Sequence, residues 1–458
     1  MKKKENSSRT WLFVPLAGLL LCAIVWLVFT CFEGRRPEIR MLVEGSSLGK
    51  DGEIALEVMD VGRGVKEVQV LFFKDGKEHV LEQRLFPGSG FLGATGVAHT
   101  SLRFAFKPAE AGITDGMGTL RVRARDASLR GGFKGNLGTY EREMRVDTRP
   151  PEISVVTRQH YLSHGGAGLV GYRLSEPVLR SGVKVDGRFF PGYGGFGPNK
   201  DIHVAFFGLG HEPGSGAEIF IVAEDFAGNI GRGGFPHHVN ARRFPEDKIN
   251  ISDRFLNWKM PEFQIPSGDP ESPLEKFLKV NNKLREQNEA QIFAATEKSE
   301  PRPFWERHFL PLPAAANRGG FADRRIYYYN GREIDRQFHM GVDLASIAQS
   351  PVPAAEAGKV VLVDTIGIYG RNVIIDHGCG LFSHYAHLSQ IQVSLGDMVA
   401  RGDIIGRTGV TGMAGGDHLH FGVIVHNIFV NPIEWLDPNW VENNILSKLR
   451  DIAAGIYG

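Results

Sequence analysis

Two short stretches in the last third of the chain carry the side chains best suited to chemistry: His339-Met340-Gly341-Val342-Asp343 and His418-Leu419-His420. Between them they offer imidazoles and a carboxylate, the nitrogen and oxygen donors of a hydrolytic zinc site, where three protein ligands leave a fourth position for water. A metal in such a set activates water, so the pattern reads as a hydrolase. His418 and His420 stand two apart on an expected strand, with both rings on one face and Cα atoms about 7 Å apart. Either both bind the metal, or one binds it and the other faces the substrate. Gly341 and the preceding Gln337-Phe338 disfavour a helix around His339, so its spacing to Asp343 is expected to work through a loop or strand end.

The elements that must position these groups are strands. Val352 to Val363 and Asn372 to Asp376 are apolar runs bounded by glycine and read as core strands, and Ile391 to Gly409 adds short strands and glycine turns. In Ser383-His384-Tyr385-Ala386-His387 the two histidines are three apart, so a regular strand would send them to opposite faces and only one would meet the metal groove. Cys379, in the turn-like Asp376-His377-Gly378-Cys379-Gly380, reads as an inert loop thiol because nothing marks a third group to orient a Cys/His pair. His308, His377, His384 and His426 read as hydrogen-bonding residues of surface or core.

Four ordered stretches carry a family resemblance: His339-x-x-x-Asp343, Tyr369 to Gly378, Tyr385-Ala386-His387-Leu388-Ser389 and His418-Leu419-His420-Phe421. Through them residues 304–440 resemble the lysostaphin/LytM-type zinc peptidases of the M23 family. The resemblance implies Zn2+ held by His339, Asp343 and His420, with His387 and His418 as catalytic histidines and Tyr369 and Asn372 bordering the groove. It also implies peptide cross-links or stem peptides of bacterial peptidoglycan as substrate. With that ligand set, two neutral imidazoles and one aspartate leave the site at net +1, which favours hydroxide and polarises a scissile carbonyl. The competing expectation is a non-catalytic LytM-like protein that binds cell wall or activates an amidase. Such regulators usually lack zinc ligands; all three are present here, which favours a zinc metalloendopeptidase. A segment from 297 to 338 lying over the groove would leave that enzyme latent.

The rest of the chain sets the frame. A length of 458 residues calls for two to four domains. A formal charge of +1 argues against nucleic acid as partner. Trp11 to Phe32 has no charged residue, and as a helix that run spans about 33 Å, enough for a bilayer core. No small-residue cleavage pattern follows, so residues 1–36 are expected to be a cytoplasmic tail and uncleaved signal anchor. Basic residues on both sides weakly favour a cytoplasmic N-terminus, with the C-terminal domains in the periplasm or outside the cell.

Residues 37–148 and 149–242 read as two Ig-like β-sandwiches. Pro37-Glu38-Ile39 returns as Pro151-Glu152-Ile153, and the Ala124-Arg125-Asp126-Ala127 strand end returns as Ala223-Glu224-Asp225-Phe226-Ala227. They form a stalk or a surface for a protein partner. Residues 243–303 are a linker, in which Ser272-Pro273-Leu274-Glu275 opens a helix over about 273–296. Residues 441–458 form a helical tail. The expected fold class is therefore mainly β, with an anchor helix, two sandwiches, a helical linker and a C-terminal β-sheet peptidase domain.

Overall fold

The structure, a computed structural model, describes residues 10–43, 45–87, 96–212, 217–265 and 272–457. The uncharged run forms the helix Thr10–Cys31. From Val14 to Cys31 it is long and apolar enough to cross a membrane, and Leu16, Leu19, Leu20, Trp26 and Phe29 along it are exposed.

Beyond the helix the protein is mainly β and divides into two compact units, residues 1–150 with 224–230, and residues 151–223 with 231–458. In the first unit a three-stranded sheet (Glu38–Met41, Gly52–Met59, His99–Phe106) and a five-stranded sheet, with Val65–Lys74 and Gly116–Asp126 inside it, share one core. Alternation explains the faces up to Val70: Val68 and Val70 are fully buried, whereas Glu67 and Gln69 are only half-buried. Asp75 and Gly76, at φ 49° and 77°, close the tight turn from Val65–Lys74 into Lys77–Leu85, as a two-residue hairpin of this handedness requires.

Seven strands of the second repeat follow one path from Ile153–Val155 to Ile230–Gly233, and His160–Ser163 pairs in parallel with His237–Asn240 beside it. This repeat is packed unlike the first. Its core is continuous with that of the C-terminal domain: the Phe206 ring lies 6.1 Å from that of Trp305 and 6.4 Å from that of Trp435. Both of those indoles are buried, so residues 151–223 complete the hydrophobic core around the site's domain.

The C-terminal sheet runs in the order Ala316–Gly319, Val342–Ala345, Leu419–Val425, Leu381–Leu388, Gly370–Gly378, Gly358–Ile366 and Met398–Val399, with Ile428–Val430 beside Leu419–Val425. Every residue of Leu381–Leu388 and of Leu419–Val425 is buried, so these central strands form a rigid floor. The apolar run from Val352 is two strands rather than one: Pro351–Pro353 pairs with Ile404–Arg407 in a separate small sheet, and Gly358–Ile366 joins the main one.

A third set of elements lies against the domain. Glu246–Ile251 pairs in parallel with Arg324–Tyr329, which pairs with Arg332–Phe338. Ser252 and Ser272 cap the helices Asp253–Lys259 and Pro273–Lys279 by accepting from the third residue on. The second of these continues through a wide turn at Val280–Leu284 into Arg285–Ala295.

Candidate metal centre

Strand register brings the first two donors together. Asp343 on Val342–Ala345 stands directly opposite His420 on Leu419–Val425, a spacing at which side chains touch. His339 lies in the loop ahead of Val342, held at both ends by backbone bonds to Asp323 and Ala322. Its Nε2 is 2.9 Å from Asp343 Oδ1 and 2.9 Å from His420 Nδ1. His420 Nδ1 is in turn 3.2 Å from Asp343 Oδ1. His339 Nδ1 donates to the Gly320 carbonyl at 2.8 Å, which fixes the tautomer and leaves Nε2 bare. Gly341 has a steric role as well: a Cβ there would meet the His420 ring at 2.6 Å.

His339, Asp343 and His420 can therefore hold a metal ion. Tetrahedral zinc with ligands at about 2.0–2.1 Å spaces them about 3.3 Å apart, and the donor triangle observed is within a few tenths of that. The donors are also in the right charge state. Burial lowers the pKa of His339 and pushes that of His420 down to about 4, so both imidazoles are neutral. Burial would raise the Asp343 carboxyl, but the imidazoles of His339, His418 and His420 packed against it hold it well below the usual carboxylate range, so it is ionised.

Two more imidazoles face this triangle. His418 precedes its strand, at a bridge to Gly409, and its Nε2 lies 3.4 Å from Asp343 Oδ1 while Nδ1 donates to Gly416 O at 2.8 Å. Burial would lower its pKa, but hydrogen bonding and charge from Asp343 raise it. His387 donates from Nδ1 to Thr411 O at 2.9 Å, and its ring is 4.8 Å from that of His418. Burial, with His418 and His420 adding, holds His387 neutral.

Simple strand alternation fails here. His384 and Ala386 share the face of His420, so His387 on a regular strand would point away; instead the His387 and His384 rings lie 5.8 and 6.0 Å from that of His420. The reason is a bulge: Ala386 and His387 together stand opposite the single residue Asn372, and His387 takes a φ of 63°. His384 is a wall residue, 4.9 Å from the Tyr369 ring and fully buried.

The loop carrying Thr411 and His418 is fastened by close backbone approach. A Cβ on Gly412 would meet Gly370 N at 2.4 Å, and Met413 N bonds Ile368 O at 2.8 Å. Tyr369 lines the groove as expected. Asn372 does not: it is fully buried, and its amide bonds Asp364 O and Gly370 O behind the bulge. Cys379 is inert, since burial pushes its thiol up to about 12. His377 bridges Ala357 O and Ser383 Oγ inside the core.

One site residue escaped the sequence reading. Arg325 Nη2 lies 2.6 Å from Asp343 Oδ2, in space that Gly319 leaves free, because a Cβ there would sit 2.8 Å from both partners. The available signal was alternation on Arg324–Tyr329, which puts Arg325 and Tyr327 on the groove side. The groove is a cavity of about 330 Å³. Its cover comes less from 297–338 than expected. Arg325 and Tyr327 contribute, but Ile249, Ile251, Phe255, Phe277 and Arg285 supply the rest.

Residues 337–432 match the family described as Peptidase family M23. Over 140 residues the chain is 36% identical to the peptidoglycan DD-endopeptidase ShyB of Vibrio cholerae, covering 28% of this chain and 32% of that protein. Over 96 residues it is 38% identical to ShyA, a peptidoglycan DD-endopeptidase of the same organism, covering 21% and 22%. The chain thus spans about a third or less of the length of these relatives. A crystal structure of a putative M23 peptidase from Pseudomonas aeruginosa is similar over 60% of this chain and 95% of its own, at 23% identity and a TM-score of 0.38. The chain carries, at residues 337–432, a domain of peptidase family M23.

Proposed function

We propose that the protein is a membrane-anchored zinc metalloendopeptidase that hydrolyses peptide bonds of bacterial peptidoglycan. The observation that carries this reading is the complete donor triangle of His339, Asp343 and His420 with two further imidazoles, His387 and His418, against it. A non-catalytic wall-binding role would not require five such groups in one groove. A donor set of two neutral imidazoles and one carboxylate in a tetrahedral spacing suits zinc. When bound, zinc supplies Lewis acidity to a scissile carbonyl and lowers the pKa of water.

The protein's own groups do the rest. Gly320 and Arg325 orient the ligands His339 and Asp343 from behind. His387 and His418, each anchored through Nδ1 to a backbone carbonyl, keep Nε2 for a proton in transfer or for the developing oxyanion. Tyr369, Ile368 and Met413 form a largely apolar wall that excludes water. The names of the relatives and the apolar N-terminal helix support a site of action in the cell envelope, with the catalytic domain on the periplasmic or outer side of the cytoplasmic membrane.

The test is incubation of the full chain, in detergent, with purified peptidoglycan, followed by mass spectrometry of the fragments. Cross-linked peptides that gain one water and show new amino and carboxyl ends are expected. Fragments identical to those of the untreated wall would overturn the reading.

A further inference from the structure

The first unit holds a second convergence of ligand-type side chains, one that the peptidase reading does not use. Glu33 lies two residues beyond the helix Thr10–Cys31, Asp60 follows the strand Gly52–Met59, and Asp126 ends the strand Gly116–Asp126. Each brings a carboxylate oxygen within 4.8 Å of the other two. Asp60 and Asp126 are 3% and 0% exposed.

The cluster is fastened by neutral donors. Glu33 Oε2 accepts from Arg35 N at 2.7 Å, and Oε1 accepts from Asn136 Nδ2 at 3.2 Å. Asp126 Oδ1 accepts from Ser128 N and Asn136 N, and Oδ2 from Asn136 Nδ2. Asp60 Oδ2 accepts from Gly62 N and Gly64 N. Asp60 Oδ1 is different: it is buried, and among the described residues it has no hydrogen-bond partner. A buried carboxylate oxygen left without a partner is unfavourable unless a cation meets it. The turn is shaped to admit the neighbouring acid, since a Cβ on Gly62 would lie 2.5 Å from Glu33 Cδ.

The arrangement recurs within the same unit. Asn229 Nδ2 bonds Asp147 O at 2.7 Å and Asp225 Oδ2 at 2.8 Å, just as Asn136 Nδ2 bonds Glu33 O at 3.0 Å and Asp126 Oδ2 at 2.7 Å. Asp147 stands four residues before Pro151, as Glu33 stands four before Pro37. The bridge is thus a repeated part of the fold rather than an accident of one loop.

Donors that are all carboxylate oxygens exclude the nitrogen and sulfur preference of zinc. Three carboxylates brought together from separate elements suit Ca2+, which takes many oxygen ligands in flexible geometry, better than Mg2+, which keeps its waters and is held by one or two carboxylates. We propose that Glu33, Asp60 and Asp126 form a Ca2+ site that fastens the segment following the N-terminal helix onto the first β unit.

The experiment is hydrogen exchange on the full chain in detergent, with about 1 mM Ca2+ or with chelator, read by mass spectrometry over residues 32–36 and 60–64. Ca2+ should slow exchange there at least ~10-fold in the parent and leave Asp60→Asn unchanged. The Asn side chain keeps the acceptor for Gly62 and Gly64 and removes a repelling charge, so the variant should melt no lower than the parent without Ca2+. Glu33→Gln gives the same readout should Asp60→Asn fail to fold. No Ca2+-dependent protection in the parent, equal protection in the variant, or equal protection by Mg2+ would each overturn the proposal. Peptidase activity is not read, so failure here leaves the metallopeptidase reading standing.

Discussion

Arg325 and Asp343 are joined at 2.6 Å through the carboxylate oxygen that does not meet His339 and His420, so one side of Asp343 faces the donor triangle and the other is held by a guanidinium. That division fixes the orientation of the ligand. Arg325→Ala is expected to weaken zinc affinity about 10- to 100-fold, in the range for a lost partner behind a metal ligand, with partial recovery in Arg325→Lys. Competition with a chromophoric chelator measures it. Unchanged affinity in Arg325→Ala would show that the strand register alone positions Asp343.

The two histidines of Leu381–Leu388 separate chemistry from packing. His387→Phe is expected to lose at least ~100-fold in turnover while retaining zinc, as for removal of an acid–base or oxyanion group. His384→Phe refills a wall position among Tyr369, His420 and Phe429 and should stay within about tenfold of the parent, a barrier difference of ~1.4 kcal/mol. Turnover and zinc content measured on both variants check this, and a dead His384→Phe with an active His387→Phe would reverse the assignment.

The cover over the groove is tied down at Asp335, whose Oδ2 accepts from Asn281 Nδ2 at 2.7 Å and Asn282 Nδ2 at 2.9 Å. Bonds to a charged acceptor contribute about 1.5–3 kcal/mol each, and ~1.4 kcal/mol is tenfold in an equilibrium. Asp335→Ala removes both, and should therefore raise hydrolysis of polymeric peptidoglycan at least about tenfold and speed hydrogen exchange around residues 280–285. Faster exchange with an unchanged rate would mean that the cover does not limit access.

Glu434 gives the second unit a pH dependence. It is buried beside Gly166 and accepts from Ala167 N at 2.9 Å, and burial pushes its pKa up to about 7. A folded pKa above the unfolded one means that the folded state holds the proton longer. The contribution to stability is complete below about pH 4.3 and is lost as pH rises through about 7, on the order of 3 kcal/mol in all. Glu434→Gln should flatten the fall in melting temperature between pH 5.5 and 8. A parallel fall in parent and variant would place the dependence elsewhere.

Much of the site was legible because its residues are chemically rare in their spacing. An HxxxD and an HxH put His339, Asp343 and one or both of His418 and His420 forward as donors, the family resemblance singled out His420, and strand register sets Asp343 opposite it. Polar punctuation also carried far: Ser272-Pro273 starts its helix as capping chemistry requires. What was not legible depends on departures from regular geometry or on distant packing. The bulge at Ala386–His387 defeats alternation, and no residue type there announces it. Arg325 sits in an ordinary dibasic pair whose role appears only when Gly319 and Asp343 close around it. The sharing of a core by residues 151–223 and the C-terminal domain rests on Phe206, Trp305 and Trp435, aromatic residues far apart in the chain.

In the proposed function one metal, held by His339, Asp343 and His420, makes this protein a peptide hydrolase. The most direct test measures peptidoglycan cleavage by the full chain against zinc content, from metal-stripped protein to one equivalent added back, beside His420→Ala treated identically. No cleavage is expected in the stripped protein, recovery in proportion to zinc up to one equivalent, and neither tight zinc binding nor cleavage in His420→Ala. Undiminished cleavage by protein shown by elemental analysis to be free of metal would contradict it.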